Sequence, residues 1–108
     1  MIMLQRLFKI EDDSKKDSLL GILADKNCRV ILDSITDQSK SVIEIAKDTG
    51  ICASTVYRKI LVLSDNKLLR IFGSFSDDGK KSFFYKSRVK SINVFFDIGT
   101  MRVEITYK

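Results

Sequence analysis

Residues 41–69 decide the fold, and they read SVIEIAKDTGICASTVYRKILVLSDNKLL. Ser41 and Glu44 form an S-x-x-E capping box, which predicts that a first helix begins at Ser41. Gly50 comes soon afterwards, and a glycine just past a helix end readily takes the left-handed conformation that closes the helix. The pattern predicts a short helix, a tight turn at Gly50 and a second helix over about residues 52–66.

The second helix is predicted to be amphipathic, with Val56, Ile60 and Leu63 spaced as one buried face. Its start is weakly marked, because Cys52 stands where Ser, Thr or Asp normally caps a helix. Such a pair of helices can present its second helix to the major groove of DNA, or it can be an ordinary helical hairpin with a solvated polar face. The residues off the apolar stripe can all form hydrogen bonds: Ser54, Thr55, Tyr57, Arg58 and Lys59.

A β-hairpin is predicted directly after these helices. Residues 68–75 and 81–88 read as strands, and the segment between them contains Asp-Gly, a strong hairpin signal. Phe83, Phe84 and Tyr85 supply aromatic residues that favour the second strand. A helix-turn-helix followed by a hairpin is the layout of a winged helix.

The charge distribution singles out the same hairpin. The chain has 19 Lys and Arg residues against 14 Asp and Glu residues, a formal net charge of +5. Residues 67–90 hold seven basic and two acidic residues, whereas basic and acidic residues balance elsewhere. This excess indicates a surface for a polyanion, although a charged run can also be a solvated face. The seven basic residues are Lys67, Arg70, Lys80, Lys81, Lys86, Arg88 and Lys90.

The chain resembles the ArsR-like winged helix-turn-helix transcriptional regulators, especially the small versions common in archaea. The resemblance is carried by SVIEIAKDTGI, by STVYRKILVL with the following KLLR, and by GKKSFFYK in the hairpin. The upstream run LLGILADKNCRVILDSI matches the two helices that usually precede the motif. The resemblance covers roughly residues 19–90 and implies a DNA-binding domain there.

The cysteines depart from the metal-sensing members of that family, which carry a cysteine pair on the first helix of the motif. Here that helix contains no cysteine, and the chain has no histidine. Cys28 and Cys52 lack the spacing of metal ligands, so we expect no metal site. The sequence also contains no Gly-rich phosphate loop, and we expect no cofactor. Both are interpreted as small residues in a reducing cytoplasm, with a regulatory thiol at Cys52 as the alternative.

Residues 1–18 are expected to form an N-terminal extension and a polar linker, the linker covering residues 11–17. The apolar residues of the extension could form a short amphipathic helix or a strand on a partner: Met3, Leu4, Leu7 and Phe8. Helices are then predicted over about residues 16–24 and 27–36. No segment is long enough to span a membrane, and the first ten residues do not resemble a signal peptide, so we expect a cytoplasmic protein.

Residues 91–108 alternate in a way that predicts a second hairpin with one apolar face. That face either covers the domain's own core or forms a dimer interface, and we favour the dimer because small domains often bury such strips in a partner. A homodimer would predict a palindromic DNA site. The apolar residues of the strip are Ile92, Val94, Phe96, Met101, Val103, Ile105 and Tyr107.

The predicted fold class is α+β and mainly helical, a winged helix-turn-helix with an additional C-terminal hairpin. No catalytic constellation is present in the sequence, so we expect no enzyme activity, and no small-molecule effector is indicated. The predicted function is transcriptional regulation through double-stranded DNA. The alternatives are a winged-helix protein-interaction module, or binding of RNA or single strands through the aromatic residues of the hairpin.

Arg58 is the residue expected to contact guanine, although a phosphate contact is also compatible with its position. The other side chains predicted to contact DNA from the second helix are Ser54, Thr55, Tyr57 and Lys59. Those predicted to contact phosphates or the minor groove from the hairpin are Lys80, Lys81 and Lys86.

Overall fold

The computed structural model describes residues 6–108, and its four helices lie in sequence between a first short strand and four later strands. None of the helices in this part of the chain is long and apolar enough to cross a membrane. The elements are β1 (Arg6–Ile10), α1 (Asp13–Ala24), α2 (Lys26–Ser34), α3 (Val42–Thr49), α4 (Ala53–Asp65), β2 (Leu69–Phe75), β3 (Lys81–Ser87), β4 (Val89–Asp97) and β5 (Thr100–Tyr107).

The capping box predicted for α3 is confirmed. The Ser41 hydroxyl accepts a hydrogen bond from the Glu44 backbone N–H at 3.2 Å, and the Glu44 carboxylate accepts one from the Ser41 N–H at 3.1 Å. Gly50 ends the helix with φ of 74°, and its N–H donates to the Ala46 carbonyl. These local bonds fix both ends of α3 and therefore the angle at which the chain enters α4.

The hydrophobic core joins all four helices to both sheets. The side chains of Ile31, Ile35 and Ile45 are completely buried, and they form one cluster with residues of α1, α4 and β2. Val103 and Ile105 of β5 belong to the same cluster. The C-terminal hairpin therefore covers the core of its own domain along this part of β5, one of the two roles that its sequence allows.

The strands form two antiparallel sheets. One contains β1, β5 and β4 in that order, and the other is the β2–β3 hairpin. Leu7 and Phe8 lie in β1, where Phe8 is opposite Ile105 of β5, so they form a strand that pairs within its own chain rather than a helix or a strand on a partner. Met3 and Leu4 lie outside the described residues.

Two expectations about organisation differ from the structure. The segment expected to be a polar linker is mostly helical, because α1 begins at Asp13 and the Asp12 side chain caps it by accepting from the Lys15 N–H. Its polar residues form the exposed first turns of α1, which runs through the expected boundary at residue 18. The chain is also a mixture of helix and strand rather than mainly helical, since β1, β4 and β5 add a three-stranded sheet.

Candidate nucleic-acid interface

The buried side of α4 fixes which side of this helix faces outward. Val56, Ile60 and Leu63 are at most 1% exposed and pack into the core, as the sequence predicts. Contacts with α2 and α3 hold the helix on this side. Since these three residues lie on one stripe of the helix, the residues on the remaining surface are presented to solvent.

Ser54, Tyr57 and Arg58 lie on the exposed side of α4. Thr55 is half-buried, and its hydroxyl accepts a hydrogen bond of 3.2 Å from the Arg58 guanidinium. That bond uses one of the five guanidinium N–H donors, so the others remain available for an acceptor outside the protein. The outer surface of α4 thus offers a hydroxyl, a phenol and a guanidinium within two helical turns.

The first turn of α4 lacks a side-chain cap at Cys52, as its sequence predicts. The exposed Cys52 sulfur instead lies 3.0 Å from the Ser54 hydroxyl. This contact, together with the backbone N–H groups of Thr55 and Ser54, holds the pKa of the Cys52 thiol below its ordinary value. Burial raises the pKa of the Cys28 thiol, so the two thiols are shifted in opposite directions.

Lys59 points away from the exposed surface of α4. Its ammonium nitrogen lies 2.5 Å from a carboxylate oxygen of Asp25, which also caps α2 by accepting from the N–H groups of Asn27 and Cys28. The hydrogen bond from Lys59 is the main cause that lowers the pKa of Asp25, and the same bond raises the pKa of Lys59. Lys59 thus fastens α4 to the start of α2, and this structural role differs from the DNA contact expected from its sequence position.

The tip of the β2–β3 hairpin, residues 76–80, is closed by its own hydrogen bonds. The Ser76 N–H donates to the Lys80 carbonyl, and Gly79 has the positive φ that the turn requires. The Ser76 hydroxyl and the Lys80 N–H donate to Asp78, and they hold the pKa of this carboxyl below its ordinary value. The Lys80 ammonium is exposed and lies 4.0 Å from Asp78, so its charge is partly offset.

Lys81 and Tyr57 approach the same face of the hairpin. The Lys81 ammonium lies 4.9 Å from the centre of the Phe83 ring and 5.8 Å from that of Phe75. Phe83 and Tyr57 line one shallow groove with Tyr85. The outer surface of α4 and one face of the hairpin are therefore continuous, with an aromatic groove between them.

Lys86 lies apart from these residues. Successive side chains of a strand point to opposite faces, so Lys86 is on the other face of β3 from Lys81 and Phe83. It is half-buried beside Arg70 and Arg88. The structure therefore joins α4 to the hairpin face that carries Phe83 and Lys81 through Tyr57, and it places Lys59 and Lys86 away from this surface.

The groove also includes a residue that the sequence does not single out. Ile43 of α3 is 62% exposed and lines the groove with Tyr57 and Phe83. An apolar residue in the first turn of a helix gives no sign in sequence that it will border a polar surface.

Among residues 6–108, no three His, Cys, Asp or Glu side chains come close enough to hold a metal ion.

Comparison with known proteins places this architecture among solved structures. No protein-family model and no curated protein sequence matches the chain. NolR from Sinorhizobium fredii superposes with a TM-score of 0.57 at 18% sequence identity, over 71% of this chain and 72% of that one. A possible transcriptional regulator from Methanosarcina mazei Go1 superposes with a TM-score of 0.56 at 19% identity, over 77% and 76%. At these identities the likeness concerns the fold, and this chain shares its fold with both proteins.

Proposed function

We propose that this protein is a winged-helix transcriptional regulator of the ArsR-like type that binds double-stranded DNA. In this proposal α4 is the recognition helix in the major groove, and the β2–β3 hairpin is the wing that lies on the backbone beside it. The fold shared with NolR and with a possible transcriptional regulator supports this assignment.

The observation that carries the proposal is the outward surface of α4. Ser54, Tyr57 and Arg58 are exposed there, while the opposite side of the helix is completely buried. In this proposal the Arg58 guanidinium donates two hydrogen bonds to guanine, and Ser54 and Tyr57 contact a base edge or a nearby phosphate. Thr55 acts on Arg58, because its hydroxyl already holds the guanidinium in place.

The wing supplies the electrostatic part of the proposal. Lys80 and Lys81 lie at and beside the hairpin tip, and the groove between Tyr57 and Phe83 joins this hairpin face to α4. Lysine contacts with phosphate contribute to affinity without reading sequence. Lys59 has no place among these contacts, because its ammonium is paired with Asp25.

A homodimer through the C-terminal hairpin completes the proposal. Phe96 is 80% exposed and Ile98 is fully exposed near the β4–β5 turn, whereas the apolar residues further along β5 are buried in the core. Exposed apolar residues grouped at one end of a hairpin are suited to a partner copy. We expect wild-type protein to sediment as a dimer and Phe96→Asn to shift it towards monomer, with Phe75→Asn at the wing as the matched control.

One observation favours a protein-interaction module as a second candidate. Leu61 and Val62 of α4 are 48% and 43% exposed, and Leu61 follows Tyr57 by one helical turn. These two apolar side chains extend the exposed surface of α4, and such a surface suits a protein partner better than a phosphate backbone. This candidate predicts that duplex DNA is not bound even at low salt.

The test is duplex affinity over a salt series for wild type, Arg58→Ala and Lys81→Ala. Loss of a base contact should cost about 1–3 kcal/mol on a specific sequence and relax specificity there. Loss of the wing lysine should weaken all sequences alike and reduce the salt slope by about one. Competition with single-stranded DNA of the same sequence distinguishes duplex binding from stacking of unpaired bases.

A further inference from the structure

A group of five basic residues lies at the junction of the two sheets, away from the proposed DNA surface. We name this group the junction cluster; it consists of Arg6, Arg70, Lys86, Arg88 and Lys108. These residues line two adjoining hollows that share Arg70, Arg88 and Lys108. The larger hollow has a volume of about 370 Å³ and also includes Phe8 and Tyr107.

Two of these cations are placed directly against each other by the strand register. Arg70 of β2 pairs with Lys86 of β3 across the hairpin. Side chains at such positions are neighbours on one face of the sheet, and like charges there destabilise the pair. The hairpin therefore keeps two cations opposite each other at a position where an acidic residue on either strand would allow an ion pair.

The cluster also lacks acidic partners in the part of the chain that the structure describes. Six ion pairs form among residues 6–108, and none of them includes a member of the cluster. Lys86 and Arg88 are nonetheless half-buried. Partial burial of a cation without a counter-charge is unfavourable, and a bound anion would relieve it.

Arg88 is held in position within the hollow. Its guanidinium stacks 4.8 Å from the centre of the Tyr107 ring and donates a 3.2 Å hydrogen bond to the Lys67 carbonyl. Its backbone N–H donates to Leu68, and its carbonyl accepts from the N–H of Lys108. A fixed guanidinium with free N–H donors is well suited to a phosphate oxygen.

We propose that the junction cluster binds a small anion that carries two or more phosphate groups. Several cations around a hollow of this size fit a compact polyphosphate group. Lys86 and Arg70 also lie on the opposite face of the hairpin from Lys81 and therefore opposite the proposed wing contact. The site is separate from the proposed DNA contacts.

The test is calorimetric titration of inorganic tripolyphosphate into the full chain at low salt. The double variant Arg70→Gln/Lys86→Gln should lower the affinity by at least about tenfold, because it removes two charge-assisted contacts. The matched control Lys80→Gln/Lys81→Gln removes the same charge from the wing and should change the affinity for tripolyphosphate by less than about twofold. Tripolyphosphate should also raise the melting temperature of wild type and the control but not of the junction variant.

The double variant Arg70→Gln/Lys86→Gln is expected to fold, because it removes a repulsive pair. Its far-ultraviolet circular dichroism spectrum checks this. The single variant Arg70→Gln provides a milder form of the same test. Equal loss of affinity in both double variants, or no binding by wild type, would overturn the proposal. The proposal would also be overturned if tripolyphosphate is not bound and Arg70→Gln/Lys86→Gln loses as much duplex affinity as Lys80→Gln/Lys81→Gln. Failure of wild type to bind duplex DNA would instead contradict the proposed function and leave the tripolyphosphate result standing.

Discussion

The ammonium of Lys59 lies 2.5 Å from the carboxylate of Asp25, which is the residue that caps α2. The neighbouring residue Arg58 faces outward, and within residues 6–108 its guanidinium donates a hydrogen bond only to the Thr55 hydroxyl. Two adjacent basic residues of α4 therefore have different roles. One fixes the helix on the domain, and the other is available to a ligand.

Substitution of either partner of the Asp25–Lys59 ion pair should destabilise the fold, but the two substitutions should not lower the free energy of unfolding equally. Asp25→Ala should cost more than Lys59→Met, because it also removes the cap of α2, worth about 1 kcal/mol. The double variant should be less destabilised than the sum of the single variants. Urea unfolding of the four proteins measures this, and strict additivity would show that the pair contributes nothing.

The contribution of the pair should depend on pH at both extremes. The folded-state pKa of Asp25 lies below its ordinary value of 3.8, so its stabilisation is present above that value and is lost as pH falls through the folded pKa. The pKa of Lys59 lies above its ordinary value of 10.5, so its stabilisation is present below that value and is lost as pH rises through the folded pKa. The stability difference between wild type and Lys59→Met should therefore be largest near neutral pH and shrink at both ends. A difference that is constant with pH would contradict the pairing.

The contrast between Arg58 and Lys59 also shows what the sequence can predict. Ser41, Glu44 and Gly50 act on their immediate neighbours, so the bounds of α3 follow from local rules, and the buried stripe of α4 follows from helical periodicity. Lys59 depends on a partner 34 positions away, which no local pattern indicates.

The β2–β3 hairpin and the N-terminal strand show two further features that local sequence patterns do not predict. The separation of Lys86 from Lys81 follows from strand alternation once β3 is known, but the pairing of Lys86 with Arg70 needs the register. The strand at Arg6–Ile10 forms because β5 offers an edge, and its sequence alone fits a helix as well. The contacts proposed between α4 and DNA remain a prediction from residue type and exposure.

Lys67 has a left-handed backbone conformation, which glycine adopts more readily than residues with a side chain. Its φ of 60° lies in the left-handed region just after α4, where its N–H donates to the Ser64 carbonyl. Lys67→Gly should stabilise the fold by about 1 kcal/mol, because a side chain raises the energy of this conformation. Lys67→Ala removes the same charge without relieving the backbone and should not stabilise. Chemical unfolding compares them, and equal effects would attribute the change to charge.

Cys52 should be the more reactive of the two thiols. It is exposed, and hydrogen bonds from Ser54 and from the first turn of α4 lower its pKa, whereas Cys28 is buried and its pKa is raised. Alkylation by iodoacetamide at neutral pH should label Cys52 first. Its rate should reach half-maximum below the ordinary thiol value of 9.0, and Ser54→Ala should move that midpoint upward. An unchanged midpoint in Ser54→Ala would exclude the hydroxyl as the cause.

The most direct test of the proposed function compares two neighbouring substitutions on the same helix. Arg58→Ala and Lys59→Ala each remove one positive charge from α4, but only Arg58 lies on its exposed surface. Duplex DNA affinity should fall by about 1–3 kcal/mol in Arg58→Ala and change little in Lys59→Ala, measured at a salt concentration and temperature where both remain folded. Equal losses in the two variants, or no duplex binding by wild type at low salt, would contradict the placement of α4 in the major groove.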